Sequence, residues 1–254
     1  MRTIHLILQG KGGVGKSLAA SVLCQYLIER GREITAFDTD PINHTLAGYK
    51  DLPVKELQLL QGDDIDRRRF DQLIEEIMTA QGDVVVDNGA ATFVPLSSYL
   101  KENQTVDFLE ASGMRVLIHT VITGGQGMKD TVDGLVSLAS HFTVRLVVWL
   151  NRYFGEIATD NKTFEEFKAY KQHRDQIAAL IHVPLKSAQT FGRDLEELFS
   201  RHQTFAAALA GETLPVLPVM TRQRLKIWWH EMCQELDLAG LTDAEYAENT
   251  EKTE

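Results

Sequence analysis

Gly10-Lys11-Gly12-Gly13-Val14-Gly15-Lys16-Ser17 fits the spacing G-x-x-x-x-G-K-[ST], and its setting is the one this pattern needs. Before it runs Thr3–Leu8, short and apolar, with the spacing of a strand. After it comes Ser17–Glu29, whose Leu18, Val22, Leu23, Tyr26 and Leu27 fall on a helical stripe. A strand, a glycine loop and a helix start together make a phosphate cradle. Several backbone N–H groups must point inward at the anion, so side chains have to be absent where the chain wraps it. The helix adds the positive end of its dipole. Lys16 supplies a point charge to the β- and γ-phosphates, and the Ser17 hydroxyl suits Mg²⁺. Nucleotide contacts are therefore expected from Gly10, Lys11, Gly12, Gly13, Val14, Gly15, Lys16, Ser17 and Leu18.

Outward from the loop, the chain alternates strand and helix patterns. Gly31 ends the first helix, and Glu33–Phe37 reads as a strand closing at Asp38. Asp66–Ala80 carries Phe70, Leu73, Ile74 and Ile77 at helical spacing. Gly82 then introduces Asp83–Asp87, whose three consecutive valines suit a strand buried on both faces. Arg115–Thr123, Val144–Leu150 and Leu180–Val183 read as further strands. Helices are expected near Met128–Ser140, Phe164–Ala179, Arg193–Ala210 and Thr221–Leu236. The alternation predicts an α/β fold of the P-loop NTPase kind, a mostly parallel sheet with helices on both faces. No linker divides the chain, so residues 1–237 are expected to form a single domain. Residues 238–254 hold five acids against one lysine and read as an acidic, disordered tail.

Composition narrows the function classes. The chain has 254 residues, 44% of them apolar, enough for one good-sized core. Its 26 basic and 36 acidic residues leave a net charge of −10, a field that repels DNA and anionic membranes unless a local basic patch intervenes. Two cysteines far apart in sequence, Cys24 and Cys233, form no CxxC pair and argue against a disulfide scaffold, a zinc ribbon or iron–sulfur ligation within one chain. The apolar start is too short for a signal-peptide core and no later run is long enough to span a bilayer, so a cytoplasmic address without membrane insertion is expected.

Candidate chemistry collects at the predicted strand ends. Asp38-Thr39-Asp40-Pro41 follows the second strand, where one acid would hold hydrated Mg²⁺ and the other would orient a water; a polar turn closing a strand is the alternative. Asp87, closing the valine run, would bind Mg²⁺ through water, or else cap a helix. Asn151, directly after a strand, either offers its amide to an adenine edge or caps the strand. Val183-Pro184 would form the opposite wall. Thr123-Gly124-Gly125-Gln126-Gly127 reads as a tight turn. Cys24, His5 and His119 read as core. Trp228-Trp229 either packs on the domain or forms a partner face.

These motifs resemble the ParA/MinD superfamily of P-loop ATPases with a deviant Walker A loop, and several longer stretches resemble the TraL-type conjugal transfer proteins of plasmids. Those stretches include Leu8-Gln9-Gly10, Asp40-Pro41 through Ala47-Gly48-Tyr49-Lys50, Asp83–Ala90 with Phe93-Val94-Pro95, and Val147–Asn151 with Tyr153-Phe154-Gly155-Glu156. The resemblance spans about residues 3 to 235. It implies an ATP- and Mg²⁺-dependent, slow, partner-stimulated ATPase that dimerises on ATP. The early lysine, Lys11, would reach across the dimer to the partner's nucleotide. Lys11, Lys16 and Asp40 would serve hydrolysis, with Ser17, Asp38 and Asp87 around the metal. Asn88-Gly89 stands where the superfamily usually has Thr-Pro or Leu-Pro, and Ile42 where it usually has glutamine. The implied setting is plasmid transfer or stability, with a protein partner and at most indirect DNA association. Two other classes stay open: a DNA-coating partition ATPase, for which Arg222, Arg224 and Lys226 make a thin patch, and a metabolic P-loop ligase or kinase, which Lys11 disfavours.

Overall fold

The computed structural model describes residues 1–61, 64–213 and 215–242. Among them, seven parallel strands build one sheet: β1 (Arg2–Ile7), β2 (Ile34–Asp38), β3 (Val54–Glu56), β4 (Asp83–Asp87), β5 (Met114–Thr123), β6 (Arg145–Asn151) and β7 (Ile177–His182). Their spatial order is β7-β6-β5-β1-β4-β2-β3. The chain leaves β1 for β2, returns to insert β4 between them, and then crosses to β5 on the other side of β1. That reversal opens a crevice at the carboxyl end of β1, where open parallel sheets bind ligands.

The valine run of β4 explains the two-sided burial. Val85 faces a core shared with helices α1 (Lys16–Glu29), α7 (Arg193–Ser200), α8 (Phe205–Ala210) and α9 (Val219–Leu238). Val84 and Val86 face a second core shared with α2 (Arg69–Thr79), α3 (Phe93–Glu102), α4 (Thr105–Ala111), α5 (Met128–His141) and α6 (Lys168–His173). Alternate residues of one strand thus serve opposite layers. Helix α1 is buried from Ala19 to Leu27 almost without interruption, because α8 and α9 cover the side that a surface helix would expose. Trp228 and Trp229 are part of that cover. Both stack on Phe205, at 5.4 and 4.5 Å between ring centroids, and neither is free to form a partner face. Cys24 is fully buried in the same layer, which pushes its thiol pKa up and leaves it inert.

The structure corrects several expectations and adds elements that the sequence pattern did not show. The helix expected over 164–179 is a 3₁₀ turn followed by α6, and it stops at His173. Ile177–His182 instead pairs with β6, so the last strand starts three residues earlier than its apolar run suggested. The helix expected over 193–210 is two, α7 and α8. His202 takes φ +51° between them, and the Thr204 hydroxyl accepts from Ala207 N–H to start α8 afresh. The short edge strand β3 lacked a readable pattern at three residues. Helices α3 and α4 were also missed, since Pro95 punctuates the sequence there. Pro95 sits in the first turn of α3, where its missing N–H has no partner to lose. Of the tail, residues 243–254 lie outside the described residues, while Ala239 and Leu241 are buried.

Three polar side chains share the sheet interior. Trp149 Nε1 donates to His119 Nδ1 at 3.0 Å, and His119 Nε2 meets His5 Nδ1 at 2.9 Å. An indole N–H is donor only, so His119 Nδ1 is bare and its proton sits on Nε2. That proton bonds His5 Nδ1, which leaves the His5 proton on Nε2, buried and without an acceptor. Both rings are fully buried and neutral, with burial as the main cause: His5 is lowered to about 4, and His119 well below its ordinary value.

Candidate nucleotide-binding site

The loop leaves β1 at the crevice and turns into α1. Gly13 and Gly15 take φ +73° and +105°, conformations that a side chain would strain. Lys16 follows at the first helical position. Its Nζ donates to the Lys11 carbonyl at 3.1 Å, and only 8% of the residue is exposed. Burial lowers its pKa, against the pull of Asp87 and Asp40. A buried cation is costly in a low-dielectric site, and an arriving polyphosphate relieves that cost.

Two clefts flank the loop and share Gly13, Gly15 and Leu18. The front cleft, about 420 Å³, is lined by Gly12, Lys16, Ser17, Asp40, Ile42 and Ala90 among others. The side cleft, about 500 Å³ and mostly apolar, is lined by Asn151, Tyr153, Phe154, Val183, Pro184 and Trp228 among others. A cleft reached by Lys16, Ser17 and Asp40 and a mostly apolar slot thus meet at one glycine turn.

The three aspartates of the crevice differ in environment. Asp38 is fully buried, and both of its oxygens accept backbone N–H groups: Oδ1 from Asp40 at 3.1 Å, Oδ2 from Ala47 at 2.9 Å. Burial still raises its pKa, with those two bonds opposing the shift. Asp40 sits on the front cleft. Its Oδ1 accepts from Ile42 and Asn43 N–H, so Oδ2 takes no part in the turn. Asp87 is 1% exposed, and neither of its oxygens has a hydrogen-bond partner of good geometry. Burial raises its pKa to about 7. The neighbouring Ser17 hydroxyl and Lys16 work against the shift, and the charges of Asp38 and Asp40 add to it.

An orphaned buried carboxylate beside the loop serine is what a hydrated Mg²⁺ requires. Among the described residues, no cluster of three His, Cys, Asp or Glu side chains forms a metal cage by itself. A hydrated Mg²⁺ keeps most of its waters and takes further ligands from phosphate, so Ser17 and Asp87 would be its protein partners here. Asp38 fits a metal role less well, since its oxygens are already engaged.

Lys11 lies on the rim, its Nζ 2.8 Å from Asp130 at the start of α5, with both side chains about half exposed. Such an exposed pair is screened by solvent and exchanges readily. Asn151 has both ends of its amide in use: Nδ2 donates to Val14 O and Oδ1 accepts from Tyr153 N–H. It braces the loop and sets the aromatic turn of Tyr153 and Phe154. The Pro184 carbonyl accepts from Trp228 Nε1, which fixes the slot's far wall. The tight turn expected at residues 123–127 is a 3₁₀ turn, with Gly125 at φ +64°.

Sequence reading missed several side chains of the site. Gln9 is buried, and its amide bonds Thr120, Val121 and Thr131, fastening α5 to the root of the loop. Tyr153 and Phe154 wall the slot from a turn without periodicity. Thr39, Asn88 and Thr92 lie fully buried between the strand-end loops, and only the unusual Asn88-Gly89 pair hinted at them.

Known proteins fit this geometry. The model of the CobQ/CobB/MinD/ParA nucleotide binding domain matches residues 5–197. Protein TraL of Escherichia coli is 46% identical over 243 residues, covering 95% of this chain and 100% of that protein. Protein MobD of Acidithiobacillus ferrooxidans is 26% identical, over 93% of this chain and 97% of its own. Among solved structures, the MinD cell division protein of Aquifex aeolicus superposes with a TM-score of 0.52 at 16% identity, covering 94% of this chain and 97% of its own. The septum site-determining protein MinD of Pyrococcus horikoshii, complexed with Mg-ADP, gives 0.50 at 17% identity, over 94% and 98%. Both share the fold.

Proposed function

Because this chain belongs to the CobQ/CobB/MinD/ParA nucleotide-binding family, we propose that it is a cytoplasmic ATP-driven dimer switch serving plasmid conjugal transfer or plasmid stability. ATP occupies the two clefts, its ring in the side slot and its phosphates on residues 10–17. Ser17 and Asp87 would hold a hydrated Mg²⁺, which would neutralise charge on the phosphates. Lys16 contacts the β- and γ-phosphates, and the free oxygen of Asp40 orients the water whose oxygen attacks the γ-phosphorus. The bond from that phosphorus to the β–γ bridging oxygen breaks, ADP leaves and inorganic phosphate carries the water's oxygen. Lys11 exchanges Asp130 for the partner's nucleotide when two ATP-loaded copies meet. Hydrolysis is slow until a protein partner of the transfer or stability system stimulates it.

The observation that carries this reading is the buried Lys16 beside the orphaned Asp87 at the mouth of the glycine loop. In support of the transfer setting stands the 46% identity to protein TraL. A DNA-coating role is weakened at the thin basic patch, because Arg224, one of its three residues, is tied to Asp194 at 2.5 Å. The test is size-exclusion chromatography with light scattering on the apo, Mg²⁺·ADP and Mg²⁺·ATP states. A dimer with ATP alone is expected; a monomer in all three states refutes the switch.

A further inference from the structure

Thr39 and Asn88 are the residues just past two neighbouring strands, β2 and β4, whose ends Asp38 and Asp87 lie in register. Thr39 continues the ladder, its N–H donating to the Asp87 carbonyl at 2.9 Å and its hydroxyl lying 3.0 Å from the same oxygen. The hydroxyl also lies 3.4 Å from Asn88 Oδ1. Thr92 Oγ lies 2.7 Å from that Oδ1 and 3.0 Å from the Gly89 carbonyl, which in turn accepts from Asn88 Nδ2 at 3.0 Å. Each hydroxyl has one proton to give. Thr39 therefore donates to the Asp87 carbonyl and Thr92 to Asn88 Oδ1, each to its nearer acceptor, and the Gly89 carbonyl is served by the asparagine amide. All three side chains are fully buried, and none of them lines either cleft.

Thr92 shows what this arrangement displaces. It occupies the N-cap position of α3, where a threonine oxygen ordinarily accepts from the first-turn N–H groups. Here the side chain makes no cap bond and turns back to Asn88 instead. Gly89 completes the contact. A Cβ there would lie 2.7 Å from Asp40 Cγ and 3.0 Å from its Cα, so the loop after β4 rests directly against the residue assigned to the water.

We propose that Asn88, held by Thr92, is a positioning residue that keeps Gly89 pressed against Asp40, and so locks the loop carrying Asp40 to the loop after Asp87, the two moving as one unit when the terminal phosphate arrives or leaves. The lock rests on the ATPase reading for its purpose, and on its own hydrogen bonds for its existence. A hydrogen-bonded amide in a dry site has few alternative partners, so the two loops share one arrangement instead of relaxing separately.

The test uses the full chain with Thr92→Val, which removes the hydroxyl at nearly constant shape, and Thr92→Ser, which restores it. Hydrogen–deuterium exchange of the nucleotide-free protein is read over residues 39–47, with which Thr92 forms no hydrogen bond. Exchange there should speed up at least fivefold in Thr92→Val and return to the parental rate in Thr92→Ser. In ATP turnover, Thr92→Val should lower kcat at least tenfold with KM within twofold, and Thr92→Ser should recover it. Parental exchange over 39–47 in Thr92→Val overturns the lock. So does a loss of kcat and nucleotide affinity together in both variants, which marks a merely structural role. Absence of turnover in the parental protein would sink the ATPase reading alone, since the exchange comparison still decides whether the loops are joined.

Discussion

Acidification should expose the buried histidine pair, and the effect is large enough to measure. Protonating His5 adds an N–H at Nδ1, where His119 Nε2–H already donates; protonating His119 sets two donors face to face with Trp149. Of the charges around His5, Asp83 favours the imidazolium while Arg115 and Arg32 oppose it, and burial outweighs them all. The folded pKa of about 4 lies below the ordinary 6.5, so between these values the unfolded chain binds more protons and stability falls as pH falls. At pH 5 the unfolded ring is nearly all charged and the folded ring nearly all neutral, a loss of about 2 kcal/mol relative to pH 7.5 from His5 alone. His119 acts in the same direction. Asp87 acts oppositely, because its raised carboxyl takes up a proton sooner in the folded state, so the parental curve by itself mixes signs. Comparison with His5→Leu removes that common contribution. Urea unfolding followed by tryptophan fluorescence should find the variant less stable at pH 7.5 by about 1–3 kcal/mol, since His119 Nε2–H loses its acceptor. The deficit should shrink by about 2 kcal/mol at pH 5. A deficit that stays constant from pH 7.5 to 5 would show that His5 is not held neutral, and the tautomer assignment would fall with it.

Three further outcomes are expected. Lys16→Ala should weaken ATP binding at least a hundredfold in isothermal titration, about 3 kcal/mol, because the removed cation is buried against the phosphate site; unchanged affinity in the folded variant would refute the loop assignment. Lys11→Ala should keep monomer affinity for nucleotide within about threefold, given that its partner here is an exposed Asp130, yet lose ATP-dependent association in light scattering. Retained dimerisation would reduce Lys11 to a surface lysine. Asp40→Ala should leave Mg²⁺·ATP bound, slow phosphate release at least tenfold and lengthen the dimer's lifetime, about 1.4 kcal/mol on the barrier; parental turnover would remove Asp40 from the water-orienting role.

Short-range chemistry made much of this protein legible in the chain alone. The loop from Gly10 to Ser17 is readable because phosphate binding demands glycines, a lysine and a helix start within eight consecutive residues. The strands of the sheet are readable where burial on both faces forces runs such as Val84–Val86. Elements whose identity comes from neighbours were not. Ile177–His182 is a strand because β6 offers it a ladder, and α3 holds a proline that its first turn tolerates. The acids show the same division. Residue type and strand-end position marked Asp38, Asp40 and Asp87 alike, but backbone N–H groups from residue 47 and from residues 42 and 43 occupy the first two, while Asp87 is buried with no backbone donor on either oxygen. Protonation, orientation and freedom to meet a metal depend on which groups the folded chain brings within about 3 Å, and that is a property of three dimensions. The buried bond between Asn88 and Thr92 is the extreme case: two ordinary polar residues acquire a task only where β2 and β4 end side by side and Gly89 meets Asp40.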